Sequence, residues 1–145
     1  MKRKGSAVWK GGLKDGKGTV STESGALKNT QYSFSARFES GVGTNPEELL
    51  AAAHAGCFSM ALSGQLAQAG MTAESIETTA TVTLEKVEAG FGIPLVHLDV
   101  AARIPGGDQA KFEQAAANAK AGCPVSKLFN AKITMDAKLV AERAA

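Results

Sequence analysis

"NPEELLAAAHAGCFSMALSGQ", residues 45–65, decides the reading of this chain, because the strongest helix signal in the sequence carries a cysteine and a histidine at its centre. Asn45 stands as N-cap, Pro46 takes the first helical position, and Glu48 follows three residues after the cap, the spacing of a capping box. The next stop signal is Gly70, after "AQA". Together they predict a helix of roughly 25 residues, on the order of 37 Å long at 1.5 Å per residue. In a chain of 145 residues such a helix is the axis of the fold.

On this helix Cys57 shares a face with Leu50, Ala53, His54, Met60, Ala61 and Gly64, at offsets of three, four and seven. Small residues dominate that face and let another helix or a sheet approach closely, so a buried structural cysteine fits the spacing as well as a reactive one. Apolar burial alone raises a thiol pKa and leaves it inert. A reactive Cys57 therefore needs a cation brought to it. His54, one turn earlier, is either a hydrogen-bonded core residue or a base. Arg37 has a permanent charge and a planar fork of donors, which makes it the stronger candidate for holding a thiolate.

Glu47 and Glu48 are both favoured in a first helical turn by the helix dipole. With Glu48 in the capping box, Glu47 is left free to orient Arg37 through a carboxylate–guanidinium pair. Glu47 and Cys57 lie ten positions apart, about 15 Å along a helix and rotated by roughly 80°, so they cannot touch within one straight helix. Either Arg37 bridges them, or acid and arginine come from a second chain in a two-fold dimer.

Working outward, "SAVWKGGLKDGKGTVST" reads as two strands turning at "KDGKG". "QYSFSARFE" alternates, with Tyr32, Phe34, Ala36 and Phe38 on one face and Arg37 on the other, the pattern of a third strand. Beyond the long helix, "ESIETTATVTLEKVE", the turn "AGFG" and "IPLVHLDVAARI" form a hairpin whose inward face is Ile76, Ala80, Val82 and Leu84 opposite Val96, Leu98, Val100, Ala102 and Ile104. Asp108 caps a helix that Gly122 ends, "CPVSKLFNA" supplies a short helix, and "KITMDAKLV" a last strand. The order is βββ-α-ββ-α-α-β, an α+β arrangement expected to form a single domain over residues 1–145.

Sixteen Lys and Arg against fourteen Asp and Glu, a formal charge of +2, give no basic excess for nucleic acid or an anionic membrane. The basic start "MKRKGSAVWKGG" lacks the apolar stretch of a secretory signal, and Glu47, Glu48, His54, Ser59 and Gln65 interrupt the most apolar helix, so a soluble cytoplasmic protein is expected. Two cysteines in that compartment are reduced or redox-active rather than a static staple. Without a CxxC and with two histidines, a Zn²⁺ site lacks its usual ligand spacing, and neither metal nor bound cofactor is expected. Cys123, in "GCP" at the start of the short helix, fits a thiolate or an inert turn residue equally.

"GTNPEELLAAAHAGCFSMALS", with "YSFSARFE" before it and "CPVSKLF" after it, resembles the OsmC/Ohr peroxidase family, in its osmotically inducible protein C branch. The resemblance covers nearly the whole chain. It implies the OsmC-like fold, an intertwined homodimer with its sites at the subunit interface, and a thiol-dependent hydroperoxide peroxidase of oxidative and osmotic stress defence. By position Cys57 matches the peroxidatic cysteine, Cys123 the resolving cysteine, Arg37 the arginine that stabilises the thiolate, and Glu47 the acid that holds that arginine. The reductant it implies is an external thiol, of lipoyl type. In the organic hydroperoxide resistance branch the arginine comes from an earlier segment and a tyrosine stands in place of His54. Gly56 departs from the family's common alanine, which weakens the helix by up to about 1 kcal/mol.

Leu50, Phe58 and Met60 suggest a preference for organic peroxides over hydrogen peroxide. Two other readings remain: a cysteine hydrolase using Cys57 with His54, and a non-enzymatic stress-response dimer with structural thiols. The hydrolase lacks an evident oxyanion hole, because mid-helix amides are already bonded, and gives Cys123 no task.

Overall fold

The computed structural model describes residues 1–140, which divide after Leu49 into two units. The first holds an antiparallel sheet of β1 (Gly5–Lys10), β2 (Lys17–Thr22) and β3 (Thr30–Tyr32), followed by helix α1 (Phe34–Phe38). Trp9 pairs with Gly18 across β1 and β2, and the Trp9 and Tyr32 rings lie 5.4 Å apart. A Cβ on Gly18 would run into both rings, which is why the pair can form only over a glycine.

Here the structure corrects the sequence reading, since the alternation of "QYSFSARFE" ends at Tyr32 as a strand and continues as a helical turn. The Ser33 hydroxyl accepts from the Ala36 amide at 3.1 Å, a helix cap, and Phe34 meets Phe38 four residues on with ring centroids 4.8 Å apart. The alternation of Phe34, Ala36 and Phe38 fits period two; the pair at 34 and 38 equally serves period 3.6, and the cap decides between them. Arg37 thus projects from a helix rather than from a strand.

The long helix α2 spans Pro46–Gln68. As the sequence predicts, Asn45 caps it, accepting from the Glu48 amide at 2.8 Å. The reciprocal half of the capping box is replaced: the Glu48 carboxylate accepts from the Thr44 hydroxyl at 2.8 Å. Gly70, with φ 79°, ends the helical run in the left-handed region. By length and a mean hydropathy of 1.2, α2 reaches the level of a membrane-crossing helix despite its polar residues, yet only 22% of its most apolar window is buried. Its buried line repeats every four residues, with His54, Phe58, Leu62 and Leu66 fully enclosed.

The second sheet has the order β4 (Ser75–Val87), β5 (Gly90–Arg103), β6 (Lys132–Val140). β4 and β5 form the expected hairpin, but the ladder continues through Phe91 and Gly92, so the turn is Glu88–Ala89 rather than "AGFG". β6 joins β5 in parallel, a connection that needs a crossover, supplied by α3 (Gln109–Gly122) and α4 (Pro124–Leu128). Asp108 caps α3 as predicted. Phe58, Leu62 and Leu66 of α2 and Phe112, Ala115, Ala116 and Ala119 of α3 close one core with Leu98, Val100, Ala102 and Ile104, the inward set read from alternation. Cys123 lies in that core, and Cys57 packs against it at its margin.

Candidate active site

In the first unit Arg37 and Glu47 form the pair that elimination from the capping box pointed to. Glu47 Oε1 accepts from Arg37 Nε at 3.0 Å and lies 2.9 Å from Nη2. The carboxylate is nearly enclosed while the arginine side chain is 41% exposed. One carboxylate oxygen therefore fixes one edge of the guanidinium, and buried Oε2 has no partner in the described chain. The charge is held in direction without being spread over both oxygens. Arg37 also stacks 5.2 Å above the Phe38 ring and lines, with Trp9, Leu13, Tyr32 and Phe34, a cavity of about 260 Å³.

In the second unit the two thiols meet. Cys123 Sγ and Cys57 Sγ lie 2.9 Å apart, both free, although 66 residues separate them in the chain. α2 brings Cys57 to the edge of the core, and the junction between α3 and α4 brings Cys123 into it, where "GCP" ends one helix and starts the next.

Either sulfur can donate to the other, and the surroundings decide the sense. With Cys123 donating, the negative charge would rest on Cys57. Burial pushes the Cys57 thiol up, the hydrogen bond with Cys123 and that sulfur's charge push the same way, and only the Val125 amide opposes them. Burial also acts to raise Cys123, but there it is outweighed by the bond from Cys57, the amide and hydroxyl of Ser126 and the amide of Val125, so its pKa is lowered. In the single chain the surroundings thus raise the Cys57 thiol and lower that of Cys123, although the contact as placed has Cys123 Sγ donating to Cys57 Sγ. This is the condition the sequence argument anticipated: burial without an added cation leaves Cys57 protonated.

The chain matches the OsmC-like protein family over residues 39–138. It belongs to that family. It is 55% identical to Peroxiredoxin OsmC of Escherichia coli strain K12 over 94% of this chain and 96% of that protein. The OsmC-like protein from Mycoplasma pneumoniae superposes with a TM-score of 0.76 at 15% identity, covering 97% of this chain and 99% of that one. An organic hydroperoxide resistance protein OsmC from Legionella pneumophila gives a TM-score of 0.66 at 27% identity, covering 95% and 97%. The OsmC-like fold expected from the sequence is thus the fold of the molecule.

In this OsmC-family chain His54 is fully buried, and its Nε2 lies 2.7 Å from the Ser126 hydroxyl. Its ring meets Phe129 edge-on at 5.2 Å, its Nδ1 has no partner in the described chain, and burial lowers its pKa. Ser126 is the residue that sequence reasoning missed. The signal for it was the one-turn spacing from Cys123 in "CPVS" together with an unassigned polar histidine on α2. Two apolar residues weighed for peroxide binding are placed differently: Phe58 is sealed in the core and Met60 is 80% exposed. On the exposed outer face of the second sheet, His97, Asp99 and Asp136 offer metal-ligand atoms within 4.8 Å of one another, a grouping hidden from the sequence because β5 and β6 supply it jointly.

Proposed function

We propose that the chain is a thiol-dependent peroxidase that reduces organic hydroperoxides, and hydrogen peroxide more weakly, in oxidative and osmotic stress defence. The observation that carries this reading is the contact of two free thiols at 2.9 Å, brought together from positions 66 residues apart. The Cys57 thiolate attacks the distal oxygen of ROOH, so that an S–O bond forms as the O–O bond breaks, and the alkoxide takes a proton to leave as alcohol. Cys123 then attacks the Cys57 sulfenic acid, forming the disulfide and releasing water. An external dithiol, of lipoyl type, returns the pair to its reduced state, in keeping with a reducing cytoplasm.

Arg37, aimed by Glu47, supplies the cation that Cys57 lacks in its own surroundings. The aromatic cavity beside Arg37 supports an organic substrate, because it offers burial to an alkyl or aryl group next to the guanidinium. A homodimer is part of the proposal. Ala52, Ala53, Gly56 and Met60 stand exposed on an apolar helix of 23 residues, and a second copy of α2 packed antiparallel would cover them.

The test is mass spectrometry of the intact protein after one equivalent of cumene hydroperoxide. A Cys57–Cys123 disulfide should form, Cys57→Ser should abolish turnover, and Cys123→Ser should leave a sulfenic acid. Unchanged peroxide with both thiols reduced would remove the peroxidase reading.

A further inference from the structure

The outer face of the second sheet carries a group of polar side chains that the peroxidase reading does not use. His97 and Asp99 alternate with buried Val96, Leu98 and Val100 along β5, so they stand on the face turned away from the core. In the parallel ladder Asp136 of β6 lies directly opposite Asp99, and Thr134 directly opposite His97. Like charges in register across a ladder are unfavourable unless a cation is shared between them. His97 Nε2 is turned to both carboxylates, 3.1 Å from Asp136 Oδ2 and 3.3 Å from Asp99 Oδ1, while Nδ1 meets the Thr134 hydroxyl at 2.6 Å.

We propose that His97 Nε2, Asp99 and Asp136 form a binding site for a divalent transition-metal cation of the Zn²⁺ type, with Thr134 positioning the imidazole. The three ligand atoms lie within 4.8 Å of one another. A tetrahedral Zn²⁺ with bonds of about 2.0–2.2 Å sets its ligand atoms about 3.3–3.6 Å apart, so the two imidazole–carboxylate separations are already close to those of a formed site. Thr134 occupies the place of the outer partner that metal-binding imidazoles use: with Nδ1–H donated to its oxygen, the Nε2 lone pair is left for the cation. One imidazole with two carboxylates suits a borderline cation better than Ca²⁺ or Mg²⁺, which favour all-oxygen sets.

The ligands stand on two adjacent strands whose hydrogen-bonded register fixes their spacing. The Asp99 and Asp136 side chains are 58% and 82% exposed, so a cation reaches them from solvent without any opening of the fold. Both line a depression of about 420 Å³ together with Glu77, Thr79 and Lys138, which leaves space for water to complete the coordination. A bound cation would tie β6, which pairs in this sheet with β5 alone, to its neighbour. Ligand spacing within one segment could not reveal such a site, because Asp136 stands 39 residues from His97.

The inference stands apart from the peroxidase reading, and its test needs no peroxide. Zn²⁺ is titrated by calorimetry into Cys57→Ser protein, which lacks the pair of thiols that would itself chelate the ion. One Zn²⁺ per chain should bind, and His97→Ala in that background should abolish this binding. Asp99→Asn and Asp136→Asn should each weaken it about tenfold or more, and Thr134→Val, which keeps the β-branched shape and removes the partner of Nδ1, should weaken it about tenfold with the stoichiometry unchanged. Saturating Zn²⁺ should raise the urea midpoint of Cys57→Ser protein but not of its His97→Ala form, since a ligand of the folded state stabilises it. Absence of stoichiometric uptake, or equal affinity in the His97→Ala form, would overturn the proposal. If Cys57→Ser does not fold, as judged by circular dichroism, the parent and its His97→Ala form are compared, and the second should bind one Zn²⁺ fewer; equal numbers would count against the site.

Discussion

His54 should make the fold sensitive to mild acid, and the size of the effect follows from its setting. The ring is fully buried, takes one hydrogen bond from the chain, and has its pKa lowered from 6.5 by desolvation. An unfolded chain therefore takes up a proton on this residue at a pH where the folded chain does not. Because the folded value is depressed, its contribution is fully present above 6.5 and is lost as pH falls from 6.5 toward the lowered value. One proton bound by the unfolded state alone corresponds to a slope of at most about 1.4 kcal/mol per pH unit. Against a typical total of about 5–15 kcal/mol this is measurable. The assay is urea unfolding at a series of pH values from neutral downward, at one fixed protein concentration, comparing the parent with His54→Gln. The parent should lose stability more steeply, by a difference approaching that slope. Since the substitution removes only the His54 ring, equal slopes would show that buried His54 is protonated in the fold and would refute the reasoning.

Glu47→Gln removes the charge that fixes Arg37 while keeping its shape, so kcat/KM should fall about tenfold or more; unchanged kinetics would separate the pair from the chemistry. Arg37→Lys should not restore activity, because an ammonium lacks the edge that Nε and Nη2 present to Oε1. Phe58→Ala should cost about 3–5 kcal/mol in urea unfolding, since the ring is fully enclosed among α2, α3 and the second sheet. Trp9→Ala opens one wall of the aromatic cavity beside Arg37 and should raise KM for cumene hydroperoxide more than for hydrogen peroxide, with equal changes counting against an organic subsite there.

Elements whose signals were redundant were legible in the sequence. α2 carried a cap, a proline, a stop and a periodic face, and it starts and stops where those signals place it. The hairpin of β4 and β5 was legible because strict alternation named Leu98, Val100, Ala102 and Ile104, the residues that the core encloses. The segment from Tyr32 to Phe38 was not, because aromatics at even spacing fit two periods and only the local Ser33 cap separates them. The contact of Cys57 with Cys123 depends on a parallel crossover that no local pattern encodes, so family resemblance pointed to it and spacing could not. Ser126 escaped notice for the same reason: its hydrogen-bond partner His54 stands 72 residues away.

The arrangement of charge explains why one chain would keep two thiols in contact without wasting either. A pair of equivalent buried cysteines would both be protonated and slow, or would share a charge without preference. Here the groups of the second unit act unequally on the two sulfurs: the Cys123 thiol is lowered against its burial, while burial and the neighbouring sulfur raise Cys57 against the Val125 amide alone. The cation that would reverse this, Arg37, is built into the first unit and held by its own acid. A peroxidatic thiolate that exists only when such a cation reaches Cys57 is protected from idle oxidation. In the proposed cycle, a Cys57 that has become a sulfenic acid no longer competes for the proton, which leaves Cys123 as the nucleophile for disulfide closure. The test of this ordering is the pH profile of each half-reaction measured separately in single turnover. Sulfenic acid formation should follow the integrity of the Arg37–Glu47 pair, and disulfide closure should not. A single variant that moved both profiles equally would mean that the two thiols are tuned by one common environment and not by two.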